Sequence, residues 1–65
     1  MSTNQSLARG LAILDAIDAS EDSMGIRELA RALGISPSIA QRLANTLIEA
    51  GYLQQVEETR RYRIG

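Results

Sequence analysis

Residues 29–43 read LARALGISPSIAQRL and contain the end of one helix and the start of another, separated by three residues. Gly34 suits the left-handed position that closes a helix, because glycine adopts a positive φ without a steric penalty. Ser36 suits the N-cap of the next helix. Pro37 suits its first turn, where the missing N–H leaves no hydrogen bond unmade. The stretch therefore predicts two helices joined by a tight turn.

Small and apolar side chains occur where these two helices would cross. Ala30 is small enough to allow close approach, and Ile35, Ala40 and Leu43 can fill the wedge between the helices. Two helices joined by a short turn that contains glycine form the helix-turn-helix pattern. Ordinary packing in a helical bundle is the alternative that these residues alone leave open.

The segments on either side add a helix before this stretch and a hairpin after it. Leu7, Leu11, Leu14 and Ile17 recur at helical spacing, with Ile13 broadening the stripe, and predict a first helix with one apolar face, capped by Ser6 or Asn4. The polar residues before it are typical of a mobile arm, and residues 20–25 are typical of a turn.

Two β-prone runs follow Gly51, at Tyr52–Val56 and Arg61–Ile64, and the four residues between them predict a hairpin. If Tyr62 packs inward, strand alternation leaves the neighbouring arginines outside. We therefore predict a mainly α fold with a small β-hairpin, a three-helix winged helix-turn-helix. The predicted segments are an arm at 1–5 and a domain at 6–65, with helices at about 6–19, 27–33 and 37–50 and a wing at about 52–64.

Composition excludes several classes of function. The chain has 65 residues and no Cys or His, so one small domain is expected, without disulfides, zinc fingers, thiol nucleophiles or imidazole bases. We therefore expect no enzyme, no metal and no cofactor. No apolar run approaches the roughly 18 residues of a membrane span, and the start lacks the basic head of a signal peptide. These features predict a cytoplasmic protein with no membrane partner.

Charge is distributed unevenly along the chain, although the net charge is only −1. Residues 1–26 carry one arginine and four acids, a balance of −3. Residues 27–65 carry six arginines and four acids, a balance of +2. The acidic segment does not alternate its carboxylates as a calcium loop does, so we expect it to be a face turned away from an anionic partner.

Further motifs extend the pattern over nearly the whole chain. They are Ser6-Leu7-x-Arg9-Gly10-Leu11-x-Ile13-Leu14, Glu28-Leu29-Ala30, Leu33-Gly34-Ile35, Ser38, Arg42-Leu43, Thr46-Leu47, Gly51-Tyr52-Leu53 and Arg61-Tyr62-Arg63-Ile64-Gly65. In order and spacing they resemble the N-terminal domain of the IclR family of bacterial transcriptional regulators. Two residues depart from that family's pattern, Ile39 where it usually has Thr and Pro37 near a position that is often Lys, which predicts a local change in DNA contact.

The resemblance implies sequence-specific binding to a double-stranded DNA operator by a repressor or dual regulator. It also implies a homodimer, and a small-molecule effector only if a downstream domain exists in the full-length protein. The chain would then be either a fragment of a longer regulator or a truncated relative. A winged helix that binds another protein and no DNA is the alternative that the low net charge favours.

The third predicted helix carries the candidate base-reading residues. If Ala40 and Leu47 face the core, the far side presents Ser38, Gln41, Arg42, Asn45 and Glu49. The amides of Gln41 and Asn45 can pair with adenine. Arg42 can pair with guanine or with a phosphate. A solvated helix face is the alternative for each of them.

Phosphate contacts are expected from the ends of elements. The candidates are Arg27, Ser36, Ser38, Arg60 and Arg61. Ser36 is first of all a cap. Glu57 and Glu58 could pair with the wing arginines and cancel part of their attraction, and Arg31 could pair with Glu28.

Overall fold

The computed structural model describes residues 2–65, so Met1, part of the predicted arm, lies outside the described residues. Three helices are followed by a two-stranded antiparallel hairpin, which confirms the predicted mainly α winged helix-turn-helix. The elements are α1 (Gln5–Ser20), α2 (Ile26–Leu33), α3 (Pro37–Glu49), β1 (Leu53–Gln55) and β2 (Tyr62–Ile64).

Helix α1 begins one residue earlier than the sequence predicts. The side chain of Asn4 accepts a hydrogen bond from the Leu7 N–H at 2.9 Å, so Asn4 and not Ser6 is the N-cap. Gln5, predicted to be the last residue of the arm, is therefore the first residue of the helix. At the other end Glu21 closes α1 in the left-handed conformation, with φ 63°.

The helix-turn-helix is built as the local signals indicate. Gly34 ends α2 with φ 68°, and the Ser36 hydroxyl accepts from the Ile39 N–H at 3.2 Å at the start of α3. Ala30 and Ala40 are both buried. Small side chains at buried positions of α2 and α3 allow the two helices to pack closely, which holds the outer face of α3 in a fixed place.

The core contains Ile13, Ile17, Leu29, Ala44, Leu53 and Tyr62. The apolar face predicted for α1 is only partly buried, because Leu7 and Leu11 are 63% and 52% exposed. At 100° per residue, Leu11 lies about 160° around the helix from Ile13, which is fully buried. Leu7 and Leu11 are therefore offset from the face that the core covers, whereas Ile13 and Ile17 of the same predicted stripe are buried.

The wing pairs on its outer edge with a single residue of the predicted turn at 20–25. In the hairpin, Leu53 pairs with Ile64 and Gln55 with Tyr62. Met24, between α1 and α2, pairs with the other edge of β2: its N–H donates to the Tyr62 carbonyl at 2.9 Å and its carbonyl accepts from the Tyr62 N–H at 2.8 Å. These two hydrogen bonds tie the wing to the helical part of the domain.

Candidate nucleic-acid interface

Helix α3 presents a polar outer face. Its inner side is fixed by Ala40 and Ala44, which are fully buried. At helical spacing the opposite side carries Ser38, Arg42, Asn45 and Glu49, and the structure leaves all four exposed. Arg42 lies near the centre of this outer face. Four of the five side chains predicted to point away from the core therefore do so.

Gln41, the fifth, is half-buried on the flank of α3 that faces the wing. Its Nε2 donates to the Tyr62 hydroxyl at 2.8 Å and to Asn45 Oδ1 at 3.0 Å. The sequence predicts Gln41 as a groove-facing candidate, and in the structure the wing covers part of its side chain. Sequence spacing could not reveal this contact, since 21 residues separate Gln41 from its partner.

The two serines at the start of α3 have different surroundings. The Ser36 hydroxyl is occupied as the N-cap, as predicted, whereas the Ser38 side chain is exposed in the first turn. Pro37 has no N–H and the Ile39 N–H is bonded to Ser36, so the Ser38 N–H and the positive dipole end of this helix are what favour a phosphate oxygen. Ser38 is the side chain best placed to add a hydrogen bond there.

Arg61 is part of the scaffold, which differs from the prediction of an outward-facing cation. Its Nε donates to the Ser23 hydroxyl at 2.9 Å and its Nη2 to the Ser23 carbonyl at 2.8 Å, while its Nη1 lies 2.8 Å from Glu28 Oε1. The guanidinium thus binds the α1–α2 loop and the start of α2. Strand alternation predicts which face a side chain leaves from, but not what packs against that face.

Glu28 receives a second hydrogen bond at the same oxygen. The Gly25 N–H donates to Oε1 at 2.9 Å and caps α2. This backbone hydrogen bond, followed by the attraction of Arg61, holds the pKa of Glu28 below its ordinary value. Arg31, the partner that the sequence suggested, acts on this carboxylate only as a more distant charge.

Arg60 is the exposed cation at the wing tip. It adopts φ 62°, its N–H donates to the Val56 carbonyl at 2.7 Å, and its own carbonyl accepts from Gln55 at 3.2 Å. Within residues 2–65 the one ion pair is Arg61 with Glu28. Neither Glu57 nor Glu58 therefore forms an ion pair with Arg60. Arg27, on α2, is likewise exposed and unpaired in this part of the chain.

An apolar groove lies between α1 and α3, beside the outer face of α3. Leu7, Leu11 and Ile39 are exposed in it, and Arg9 and Arg42 also line it. The acids of α1 lie elsewhere: Asp18 and Glu21 line a separate groove together with Arg63. The outer face of α3 is thus bordered by apolar side chains and arginines rather than by the acidic end of α1.

Comparison with known proteins identifies this architecture. The family model of the IclR helix-turn-helix domain matches residues 6–57. The chain belongs to the IclR helix-turn-helix family. The transcriptional repressor IclR of Escherichia coli K12 is 39% identical over 61 residues, which are 94% of this chain and 22% of that protein.

Solved structures agree with the family and the fold. An IclR family transcriptional regulator from Brucella abortus is 32% identical and superposes with a TM-score of 0.89 over 97% of this chain and 24% of its own. An IclR-type regulator from Alicyclobacillus acidocaldarius, 22% identical, has the same fold with a TM-score of 0.92 over 98% of this chain and 26% of its own.

Domains of the IclR helix-turn-helix family bind DNA in transcriptional regulation, and this domain has that class of function. The chain spans about a quarter or less of the length of the relatives it matches. Among residues 2–65, no helix has the length and apolar character needed to cross a membrane.

Proposed function

We propose that this domain binds a double-stranded DNA operator in a sequence-specific manner, with α3 in the major groove and the wing on the backbone. The observation that carries the proposal is the exposed row of Ser38, Arg42 and Asn45 on the outer face of α3. A helix of this kind fits the major groove, where each base pair presents a distinct pattern of donors and acceptors.

Each candidate residue has a role that follows from its surroundings. Arg42 has the reach to pair with guanine O6 and N7 or with a phosphate, and Gln41 and Asn45 offer amides to base edges. Phosphates would be bound by Arg27, by Ser38 beside the cap residue Ser36, and by Arg60 at the wing tip. We assign Arg61 a supporting role, because its guanidinium already binds Ser23 and Glu28.

Few cations are available, so the electrostatic part of binding should be modest. Of the exposed arginines, three are assigned to DNA contacts: Arg27, Arg42 and Arg60. Neutralising three phosphates gives a slope of about −3 for the logarithm of the binding constant against the logarithm of salt concentration. Affinity in this domain would depend more on base contacts and on a second copy than on charge.

We also propose that the chain acts as a homodimer on a pseudo-palindromic operator, since one domain contacts too few base pairs for specificity in a genome. The exposed Leu7 and Leu11 on α1, next to Ile39 on α3, supply an apolar surface for the dimer contact. Isolated leucines are common on protein surfaces, but a contiguous apolar groove favours association.

The remaining parts of the proposal concern the whole protein. Its action would be that of a non-enzymatic repressor or dual regulator in the bacterial cytoplasm, where the operator lies. A small-molecule effector belongs to the proposal only for a longer protein that carries a second domain. The support is the kinship with the transcriptional repressor IclR.

The test is selection from a random-sequence duplex library, followed by titration of the enriched duplex from about 50 to 200 mM salt. We expect an enriched sequence with inverted symmetry, affinity that falls with salt, and weaker binding by Arg42→Ala. The alternative, a module that binds protein and not DNA, is favoured by the net charge of −1 and the apolar groove. No enriched sequence and weak, salt-independent binding would support that alternative.

A further inference from the structure

A hydrogen-bonded chain connects the interior of the wing to the outer face of α3. Tyr62 is 2% exposed, and its hydroxyl accepts from Gln41 Nε2 at 2.8 Å. The same nitrogen donates its other hydrogen to Asn45 Oδ1 at 3.0 Å. A buried wing residue thus contacts one candidate base-reading side chain directly and a second one through it.

The network determines which polar atoms remain for DNA. An amide nitrogen has two hydrogens, and in Gln41 both are used. The atom of Gln41 left for a base edge is the acceptor Oε1. Asn45 uses one lone pair of Oδ1 to accept, and both hydrogens of its Nδ2 remain free to donate. The pair therefore offers an acceptor on Gln41 and a free donor on Asn45 in a fixed order along α3.

We propose that Tyr62 is a positioning residue for base recognition, acting through Gln41 on Asn45; this inference rests on the proposed function. Gln41 then reads an exocyclic amine, adenine N6 or cytosine N4, and Asn45 reads an acceptor on a neighbouring base pair. The bidentate adenine contact open to a free glutamine is excluded for Gln41, because such a contact needs both a donor and an acceptor from one amide.

Tyr62 is held firmly enough to serve as a reference point. Its backbone exchanges two hydrogen bonds with Met24 and its strand pairs with β1, so the position of the ring is fixed from both sides. The neighbouring Arg61 binds Ser23 with two further hydrogen bonds. A hydroxyl on such an anchored ring holds an amide in one orientation at little additional entropic cost.

The experiment compares Tyr62→Phe, which keeps the buried ring and removes the hydroxyl, with Tyr52→Phe, which removes an exposed hydroxyl from the same part of the chain. For each variant, base preference at every operator position is measured by selection from a random duplex library, and the salt dependence of binding is measured on the selected duplex. Thermal unfolding checks that both variants remain folded at the assay temperature.

We expect Tyr62→Phe to reduce discrimination about tenfold at the adjacent base pairs read by Gln41 and Asn45, within the range for one good base contact. The salt slope should stay as in the wild type, because no phosphate contact is lost. Tyr52→Phe should leave the preference unchanged. The double variant Tyr62→Phe with Gln41→Ala should discriminate bases no less than Gln41→Ala alone, since the Tyr62 hydroxyl acts through Gln41.

The inference is overturned if Tyr62→Phe selects the same sequences with the same discrimination as the wild type. It is also overturned if the wild type shows no nuclear Overhauser effect between the Gln41 side-chain amide protons and the Tyr62 ring, a measurement that does not depend on the variant folding. Failure of the proposed function would look different: the wild type itself would enrich no sequence.

Discussion

The helix-turn-helix and the wing are attached to this domain by different interactions. Helices α2 and α3 bury small apolar side chains, Ala30 and Ala40, and the turn between them depends on the positive φ of Gly34. The wing also buries Leu53 and Tyr62 in the core, and it adds polar contacts: the backbone exchange of Met24 with Tyr62, and the Arg61 guanidinium on the α1–α2 loop. Close packing fixes the first region, whereas apolar burial and hydrogen bonds together fix the second.

Because the contacts differ, the two regions should respond to different changes. Apolar packing is sensitive to side-chain volume and backbone conformation but hardly to pH or salt. Exposed ion pairs and hydrogen bonds are sensitive to solution conditions, and each contributes little to stability. Volume changes at the helix crossing should therefore lower stability, and loss of charge should act mainly on the polar contacts of the wing and on DNA binding.

Overpacking the helix crossing should have the largest effect. Ala40→Leu adds volume at a fully buried position and should lower the free energy of unfolding by about 1–3 kcal/mol, a large part of the stability of so small a domain. Urea denaturation followed by circular dichroism measures the change. Ala32→Leu on the exposed side of α2 is the control and should stay within about 0.5 kcal/mol. Equal effects of the two variants would contradict tight packing at the crossing.

Backbone conformation should decide whether replacing a glycine by alanine raises or lowers the stability of the domain. Gly34→Ala should destabilise by about 1 kcal/mol, because φ is 68°, although no atom lies within 4 Å of the added Cβ. Gly10→Ala within α1 meets equally open space in a helical conformation and should stabilise by up to about 1 kcal/mol. Melting temperatures that shift in the same direction would show that φ is not the cause.

Substitutions of the two adjacent wing arginines should have different effects, one on DNA binding and the other on the attachment of the wing. Arg60→Ala should reduce the magnitude of the salt slope by about 1 and weaken binding evenly across sequences. Arg61→Ala should leave the slope unchanged and speed amide hydrogen exchange in β2, since the guanidinium binds Ser23 and Glu28. Fluorescence anisotropy and hydrogen exchange measure the two effects. A salt slope that falls with Arg61→Ala but not with Arg60→Ala would show that Arg61, not Arg60, contacts a phosphate.

Acid should weaken the contact at Glu28, and this is the smallest effect expected. The folded state lowers the pKa of Glu28, so the carboxylate stabilises the fold fully above its ordinary pKa of about 4.3, and this contribution is lost as pH falls through the lowered value. The melting temperature of the wild type should therefore fall more between pH 7 and pH 3 than that of Glu28→Gln. If the melting temperatures of the two proteins fall equally, the Glu28 carboxylate does not stabilise the fold.

Local rules explain why the helix-turn-helix could be predicted from the sequence. Gly34, Ser36 and Pro37 each act on the backbone within one turn of their own position, so their residue types carry the information. The polar outer side of α3 follows from helical spacing in the same way. The exposure of Leu11 could not be read from spacing, because apolar spacing does not show which part of the face the core covers.

The wing contacts depend on partners far along the chain. Met24 is a single apolar residue in a polar turn and gives no strand signal, yet it pairs with Tyr62. Arg61 reaches Ser23, 38 residues away. Partners this far apart in sequence leave no local pattern, so the anchored arginine and the hydrogen bond between Tyr62 and Gln41 are seen only in the structure.

The most direct test of the central claim is a map of the DNA contact surface by nuclear magnetic resonance. Titration of the labelled chain with its selected duplex should move the amide resonances of Ser38, Arg42 and Asn45 most, followed by Arg60 at the wing tip, and leave the acidic end of α1 unmoved. Shifts confined to the groove between α1 and α3, with the outer face of α3 unaffected, would contradict the account.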